Sequence, residues 1–328
     1  MAEFWEEEPV LAAELQQVKA TIEDTVVAAN PFVRNVLLEY VRTNGKMLRP
    51  ALVLMMSSLT NKEIDDDVIK TAAAVELIHL ASLVHDDIID GAPTRRGKQT
   101  LFASLGVKQA VLAGDLLLSK ALSLTSRLDA ETNRVAMANA MVRLCESELE
   151  QDADVGNFFI TQATYIRRIA GKTASLFALS CYLGAALASE DPILRLRAHR
   201  LGYALGMAFQ IQDDNLDYDG HAKLLGKEVA KDVKNGIPTL PLLLALKAEK
   251  SAGSSILRAH LYEPKLPLSK KKVEAILNLV IQYRGIEEAQ RIEQRYHQRI
   301  QDDIARLGNP NVEGQLHRLI IRLSKREA

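Results

Sequence analysis

Apolar residues recur along this chain at intervals of three and four, and runs of strict two-residue alternation with hairpin turns are missing. The stretches "VIKTAAAVELIHLASLVHDDIID" (68–90) and "HRLGYALGMAFQIQDDNLDY" (199–218) are rich in Ala and Leu and too long for strands, so each predicts a helix. Residues 173–189, "TASLFALSCYLGAALAS", carry no charge. That run is short, rich in Ser, Ala and Gly, and preceded by Lys172, which predicts a buried helix rather than a membrane span. Residues 287–307, "EEAQRIEQRYHQRIQDDIARL", predict an amphipathic helix with one solvated face. Turn signals are sparse: "TNG" at 43–45, "GAP" at 91–93, "DG" at 219–220, "NGIP" at 235–238 and "GNPN" at 308–311. No low-complexity linker divides the chain. The pattern predicts an all-α fold in which residues 1–328 form a single domain, with helices packed around a central bundle.

Length and composition permit a large core, at 328 residues and 48% hydrophobic content. With 41 basic and 42 acidic residues the net charge is −1, so no whole-chain field draws nucleic acid or anionic lipid. Any phosphate recognition must be local. The two cysteines, Cys145 and Cys181, make neither a disulfide framework nor a metal-spaced cluster, which fits a reducing compartment and a cytoplasmic location. The opening "MAEFWEEEPV" is acidic and lacks the basic and apolar stretches of a signal peptide. Neither a transmembrane segment nor a nucleic-acid partner is expected.

Against this background the spacing Asp-Asp-x-x-Asp stands out, because it occurs twice, at 86–90 and 213–217. Asp86 and Asp90 are four residues apart and so share a helix face, and Asp213 and Asp217 repeat that geometry. Each pair lies at a helix end, with Gly91-Ala92-Pro93 stopping the first and Asp219-Gly220 the second. A helix C-terminus disfavours each carboxylate by about 0.3–1 kcal/mol, beyond an i,i+4 repulsion of about 0.2–0.5 kcal/mol. Something cationic must offset this. Oxygen ligands without Cys point to a hard divalent ion, and Mg²⁺ in particular takes a few carboxylates together with water and phosphate oxygens. Basic residues follow both clusters: Arg95, Arg96 and Lys98 the first, Lys223 and Lys227 the second. Carboxylates, a dication and a polyanion gripped by Arg and Lys would satisfy all these charges, and a diphosphate is the natural size. His79 stands seven residues before Asp86, on the same helical stripe. Lys172 interrupts an apolar helix and needs a partner if buried, which a diphosphate would supply.

"GKMLRP" at 45–50, "LIHLASLVHDDIIDGAPTRRGKQT" at 77–100 and "GMAFQIQDDNLDYDGHAKLLGKEVAKD" at 206–232 together resemble the trans-isoprenyl diphosphate synthases, or polyprenyl synthetases. The resemblance covers roughly residues 40–245, and "YIRRIAGKTASLFALSCYLGA" at 165–185 is similar to the catalytic subunit of bacterial hexaprenyl and heptaprenyl synthases. It implies an isoprenoid-synthase bundle with a central active-site cavity, in which an allylic diphosphate condenses with isopentenyl diphosphate. Asp86, Asp90 and Asp213 would ligate Mg²⁺, or Mn²⁺ in its place, with Asp87, Asp214 and Asp217 completing or supporting the metal sites. Arg95, Lys172, Thr173, Gln210 and Lys227 would hold the allylic diphosphate, and Lys46, Arg49, His79 and Arg96 the isopentenyl diphosphate. Asp86, Asp90, Asp213 and Lys172 would thus carry the catalysis. The metal and the cationic side chains would stabilise the departing diphosphate, which would itself accept the final proton. Asn44, Met47 and Ile237 depart from the family pattern, with Lys234 near the last of these.

A terpene cyclase needs no second diphosphate site, an HD-type phosphohydrolase no second Asp cluster, and a non-catalytic subunit would be expected to lose one cluster. A catalytically weak subunit of a heteromeric synthase is the alternative to a self-sufficient enzyme. The Ala-Leu content predicts more apolar helix face than one core consumes, hence a dimer, and the resemblance implies either a homodimer or a heterodimer with a small subunit. Short-chain members carry a bulky aromatic residue four or five positions before the first Asp, where this chain has Ser82 and Ala81. The resemblance therefore implies a medium- or long-chain product of the kind used for quinone side chains.

Overall fold

The computed structural model describes residues 3–42, 45–95, 97–126, 131–218 and 230–324. The described residues are overwhelmingly α-helical, and they gather into two compact units. The first comprises Met1–Met137, Leu179–His199 and Leu307–Leu319, the second Ala138–Ala178, Arg200–Arg306 and Ile320–Ala328.

At the centre of the first unit is the helix Asp66–Ile89. Its start is specified locally: the Asp65 carboxylate accepts from the Val68 N–H at 3.0 Å, and Asp66 and Asp67 occupy the first turn, the end that favours negative charge. Beyond that turn the helix is apolar on nearly every side, with Ala72, Val75, Leu77, Ile78, Leu80 and Val84 buried. Such a helix is stable only when surrounded. It packs against the helices Pro9–Val27, Leu48–Ser57 and Val107–Thr125. Against the last of these the approach is close, because a Cβ on Gly114 would lie 2.3 Å from the His85 ring.

The helix stops as its sequence predicts. Gly91 takes the left-handed conformation at φ 58°, the Ala92 N–H reaches back to the Asp87 carbonyl at 2.9 Å, and Pro93 follows. What the sequence pattern did not predict comes next. Thr94–Arg95 and Lys98–Gln99 pair as a two-residue antiparallel ribbon.

In the second unit, the helix Leu240–Ser251 packs against Gly285–Ile304 so tightly that a Cβ on Gly285 would lie 2.2 Å from the Pro241 carbonyl oxygen. Around this contact Phe158, Tyr218, Leu242, Leu257, Leu268 and Ile276 form a core. Gly285–Ile304 is amphipathic, burying Ala289, Tyr296, Ile300 and Ile304.

Two helices, Asp66–Ile89 and Gln162–Ala188, are long and apolar enough to cross a membrane, but 72% and 78% of their most apolar stretches are buried inside the protein. Their apolar character is that of core helices. The charge-free run at 173–189 is accordingly a buried helix, Ser175–Ala188, entered through one wide π turn at Ala170–Ala174.

Candidate active site

The first acidic cluster closes the Asp66–Ile89 helix. Asp86 is partly exposed and Asp90 exposed, whereas the Asp87 side chain is 2% exposed and accepts from Arg95 Nε at 2.7 Å. Asp87 thus faces the protein, and its role is to tie the ribbon to the helix end. Arg95 is correspondingly already paired, so a diphosphate would have to share it. The ribbon places Arg95 directly across from Lys98. Two like charges opposite one another on a ribbon destabilise it, which an anion on that face would relieve. His79 is partly exposed one face along, and its carbonyl accepts from Ser82 Oγ at 2.8 Å. Ala81 is buried at 2% exposure. Lys46 and Arg49 flank the start of the Leu48–Ser57 helix, with the Lys46 ammonium 4.6 Å from the centre of the Phe4 ring.

The second cluster closes the helix Pro192–Leu216. Here two glycines decide the geometry. A Cβ on Gly206 would lie 2.6 Å from Ala174 Cα, and one on Gly171 2.8 Å from the Arg143 carbonyl, so three helices meet at backbone distance around the π turn. That turn is the kind of insertion helices carry at functional sites. Thr173 Oγ donates to Gln210 Oε1 at 2.6 Å, Gln210 Nε2 to Asp214 Oδ1 at 2.8 Å, and the Tyr165 hydroxyl to Asp214 Oδ2 at 2.6 Å. Both oxygens of buried Asp214 are therefore taken by protein donors, which makes it a support rather than an open ligand. Asp217 is also engaged, accepting from the Lys231 and Asp232 N–H groups at 3.2 Å each. The Ala230 N–H also donates to the Asp217 carbonyl at 2.8 Å, so this clasp holds the backbone at a non-glycine residue with φ 56°. Asp213 is exposed.

Lys172 does not wait for a diphosphate. Its ammonium lies 2.8 Å from Glu148 Oε1, a partner the sequence reading missed. Tyr165 and Asp232 were missed as well. Tyr165 shares an i, i+4, i+8 stripe with Ile169 and Thr173, a signal available in the sequence, whereas nothing distinguishes Glu148 from the acids around it. Arg96 and Lys227 lie outside the described residues, as do Asn44, Lys223 and the Asp219-Gly220 stop.

Electrostatics mark the second cluster. Burial, then repulsion from Asp232, pushes Asp214 up to about 8 despite the donors from Tyr165 and Gln210. Burial, then Asp217 and Asp213, pushes Asp232 to about 7, while Lys231 and Lys172 oppose the shift. Among the described residues no three His, Cys, Asp or Glu side chains already converge as a ligand set. Mg²⁺ does not require one, being held by one or two carboxylates with water and substrate phosphates. Asp213 and Asp217, carboxylates that repel one another at a helix end, offer the oxygen-only donors that fit a hard dication. Its charge would also favour the ionised form of Asp214 and Asp232 around them.

Removing the Tyr165 donor leaves one oxygen of a buried acid short of a hydrogen bond. Tyr165→Phe is expected to cost about 1–2 kcal/mol and lower the melting temperature by a few degrees. An unchanged melting curve would show that Asp214 is satisfied without it.

A profile of the polyprenyl synthetase family matches residues 30–280. The chain is 36% identical over 234 residues to heptaprenyl diphosphate synthase component 2 of Bacillus subtilis, covering 71% of this chain and 67% of that protein. It is 30% identical over 276 residues to octaprenyl diphosphate synthase of Haemophilus influenzae, covering 84% and 83%. Among solved structures, heptaprenyl diphosphate synthase from Staphylococcus aureus superposes with a TM-score of 0.89 at 28% identity over 97% of this chain and 99% of that one. With the family profile over most of the chain, these relatives and this fold, the chain belongs to the polyprenyl synthetase family and is an all-α prenyltransferase.

Proposed function

We propose that this chain extends an allylic diphosphate with isopentenyl diphosphate to a medium- or long-chain trans-polyprenyl diphosphate, using Mg²⁺ or Mn²⁺ at its two Asp clusters. The observation that carries this reading is the repeated helix end: carboxylates at i and i+4 close both helices, with Arg95 paired to the neighbouring Asp87 at the first and Lys172 acting electrostatically on Asp232, which Asp213 and Asp217 repel, at the second. Asp86, Asp90 and Asp213 hold the metal, and Asp87, Asp214 and Asp217 brace the backbone around them. When bound, the dication supplies neutralisation of the charge that develops on the leaving diphosphate. Arg95, Lys172, Thr173, Gln210 and Lys227 grip that diphosphate, so the allylic C–O bond can break without a side-chain nucleophile. Lys46, Arg49, His79 and Arg96 orient isopentenyl diphosphate so that its double bond attacks the allylic carbon. Apolar side chains of the Asp66–Ile89 helix exclude water from the cation, and the released diphosphate takes the proton lost in the final elimination.

The reading takes residues 1–328 as one catalytic domain. The relatives' names support a product of the heptaprenyl or octaprenyl class, and "component 2" supports a working unit in which this chain is the catalytic partner of a second polypeptide. Exposed Val135, Val142 and Leu149, at 50%, 54% and 72%, repeat every seven residues along the helix Glu131–Ala153 and would suit such an assembly. Free Cys145 and Cys181 are compatible with the cytoplasm. The deciding experiment incubates the purified chain with Mg²⁺, labelled isopentenyl diphosphate and a series of allylic primers, alone and with a candidate small subunit, and sizes the products. Turnover in excess chelator would overturn the reading.

A further inference from the structure

The chain contains a single tryptophan, Trp5, and it is fully buried close to the N-terminus. Its indole Nε1–H donates to the main-chain carbonyl of Lys46 at 2.7 Å, across 41 residues of sequence. The Lys46 ammonium lies 4.6 Å from the centre of the neighbouring Phe4 ring, and the two aromatic rings meet edge to face at 4.9 Å and 85°. Adjacent aromatic residues therefore hold one lysine at both ends, its backbone oxygen and its charge.

The backbone at this point needs holding. Lys46 is followed by Met47 at φ 55°, ψ 41°, a left-handed conformation that a side-chain-bearing residue adopts only under constraint. The carbonyl that Trp5 binds belongs to the peptide joining these two residues, so the indole fixes the bend that launches the Leu48–Ser57 helix. Trp5 is itself anchored. Its carbonyl accepts from the Glu8 N–H at 2.9 Å, and the buried Glu8 carboxylate pairs with Arg318 of the helix Pro310–Ser324. The N-terminal segment is thus pinned on both sides of the indole and is part of the first unit's framework.

We infer that Trp5 is a positioning residue for Lys46, setting the backbone of the "GKMLRP" segment so that the Lys46 ammonium leaves its resting place on Phe4 for the diphosphate of isopentenyl diphosphate. This rests on the assignment of Lys46 to that diphosphate. A consequence is that occupancy there is reported by the one indole in the chain.

The full-length protein is titrated with isopentenyl diphosphate alone, so that nothing turns over. Trp5 emission should change saturably, and an allylic diphosphate alone should leave it unchanged. In steady-state assays Trp5→Phe, which keeps the ring and removes the N–H, should raise KM for isopentenyl diphosphate about tenfold. The kcat and the KM for the allylic substrate should stay within about twofold of wild type, because only one substrate's contact is disturbed. Lys46→Gln separates the two claims. If Lys46→Gln leaves KM for isopentenyl diphosphate unchanged, the assignment of Lys46 falls. If it raises that KM while Trp5→Phe does not and the indole is silent to isopentenyl diphosphate, the positioning role is overturned and the assignment stands. A Trp5→Phe enzyme that loses melting temperature, kcat and both KM values together would make the indole a packing residue only, which also overturns the inference.

Discussion

Asp86→Ala and Asp213→Ala each lower turnover by about a thousandfold or more, equivalent to about 4 kcal/mol of lost transition-state stabilisation, while the protein stays folded. The two halves of that expectation have different causes. Catalysis fails because the leaving diphosphate loses an acceptor for its counter-ion. Stability holds because, without the ion, each carboxylate occupies the helix end that disfavours it, by about 0.3–1 kcal/mol, and Asp213 further repels Asp217 and Asp232. Melting temperatures should therefore stay level or rise slightly. Asp66 supplies the control. It lies in the first turn of the helix that ends at Asp86, where negative charge is favourable, and pairs with Lys70. Asp66→Ala should lose a little stability and no turnover. Should Asp86→Ala keep a tenth of wild-type activity, or should chelator leave wild type unaffected, the metal assignment is wrong.

The contrast between Asp66 and Asp86 also explains how much could be read from the sequence. Acids in a first turn are ordinary, while acids repeated at i and i+4 in a last turn conflict with the helix dipole, and a local conflict of that kind usually marks function. Helicity was equally legible, in Asp66–Ile89 from a long run rich in Ala and Leu and in Gly285–Ile304 from an apolar stripe on one face. What stayed hidden depends on which backbones touch. Glu148 pairs with Lys172 because Gly171 lets two helices meet, and the sequence around it, "ESELEQD", offers four acids with nothing to choose between them. The double engagement of Asp214 by Tyr165 and Gln210 arises in the same way, through Gly206 against Ala174. Arg95 was legible as a cation but its pairing with Asp87 was not, because that pairing needs the short ribbon, and two-residue strands leave no alternation to detect.

Ala81→Phe shortens the product. If Asp86 and Asp90 mark the diphosphate end, the growing tail runs back along the same helix, past Ser82 and Ala81, then Ile78 and Leu77, then Ala74. One turn rises about 5.4 Å, close to the length of an isoprene unit, so each turn admits or blocks roughly one unit. With small side chains in the first turn the wild-type product should exceed about fifteen carbons and fall in the thirty-to-forty-carbon range, whereas a phenyl ring there closes the passage within about one turn. The rival account is that Ala81 is small only so that helices can approach, and its 2% exposure suits either account. The variant separates them by which quantity moves. In a packed contact the added ring has nowhere to go, costs about 1–3 kcal/mol or more and lowers the melting temperature, while the surviving enzyme makes its usual product. In a tail passage the ring occupies space that the product would fill, so the free enzyme keeps its melting temperature and the product distribution shifts down. A destabilised enzyme with the wild-type product would remove the tail from this face of the helix, and with it the argument for length control at Ala81 and Ser82.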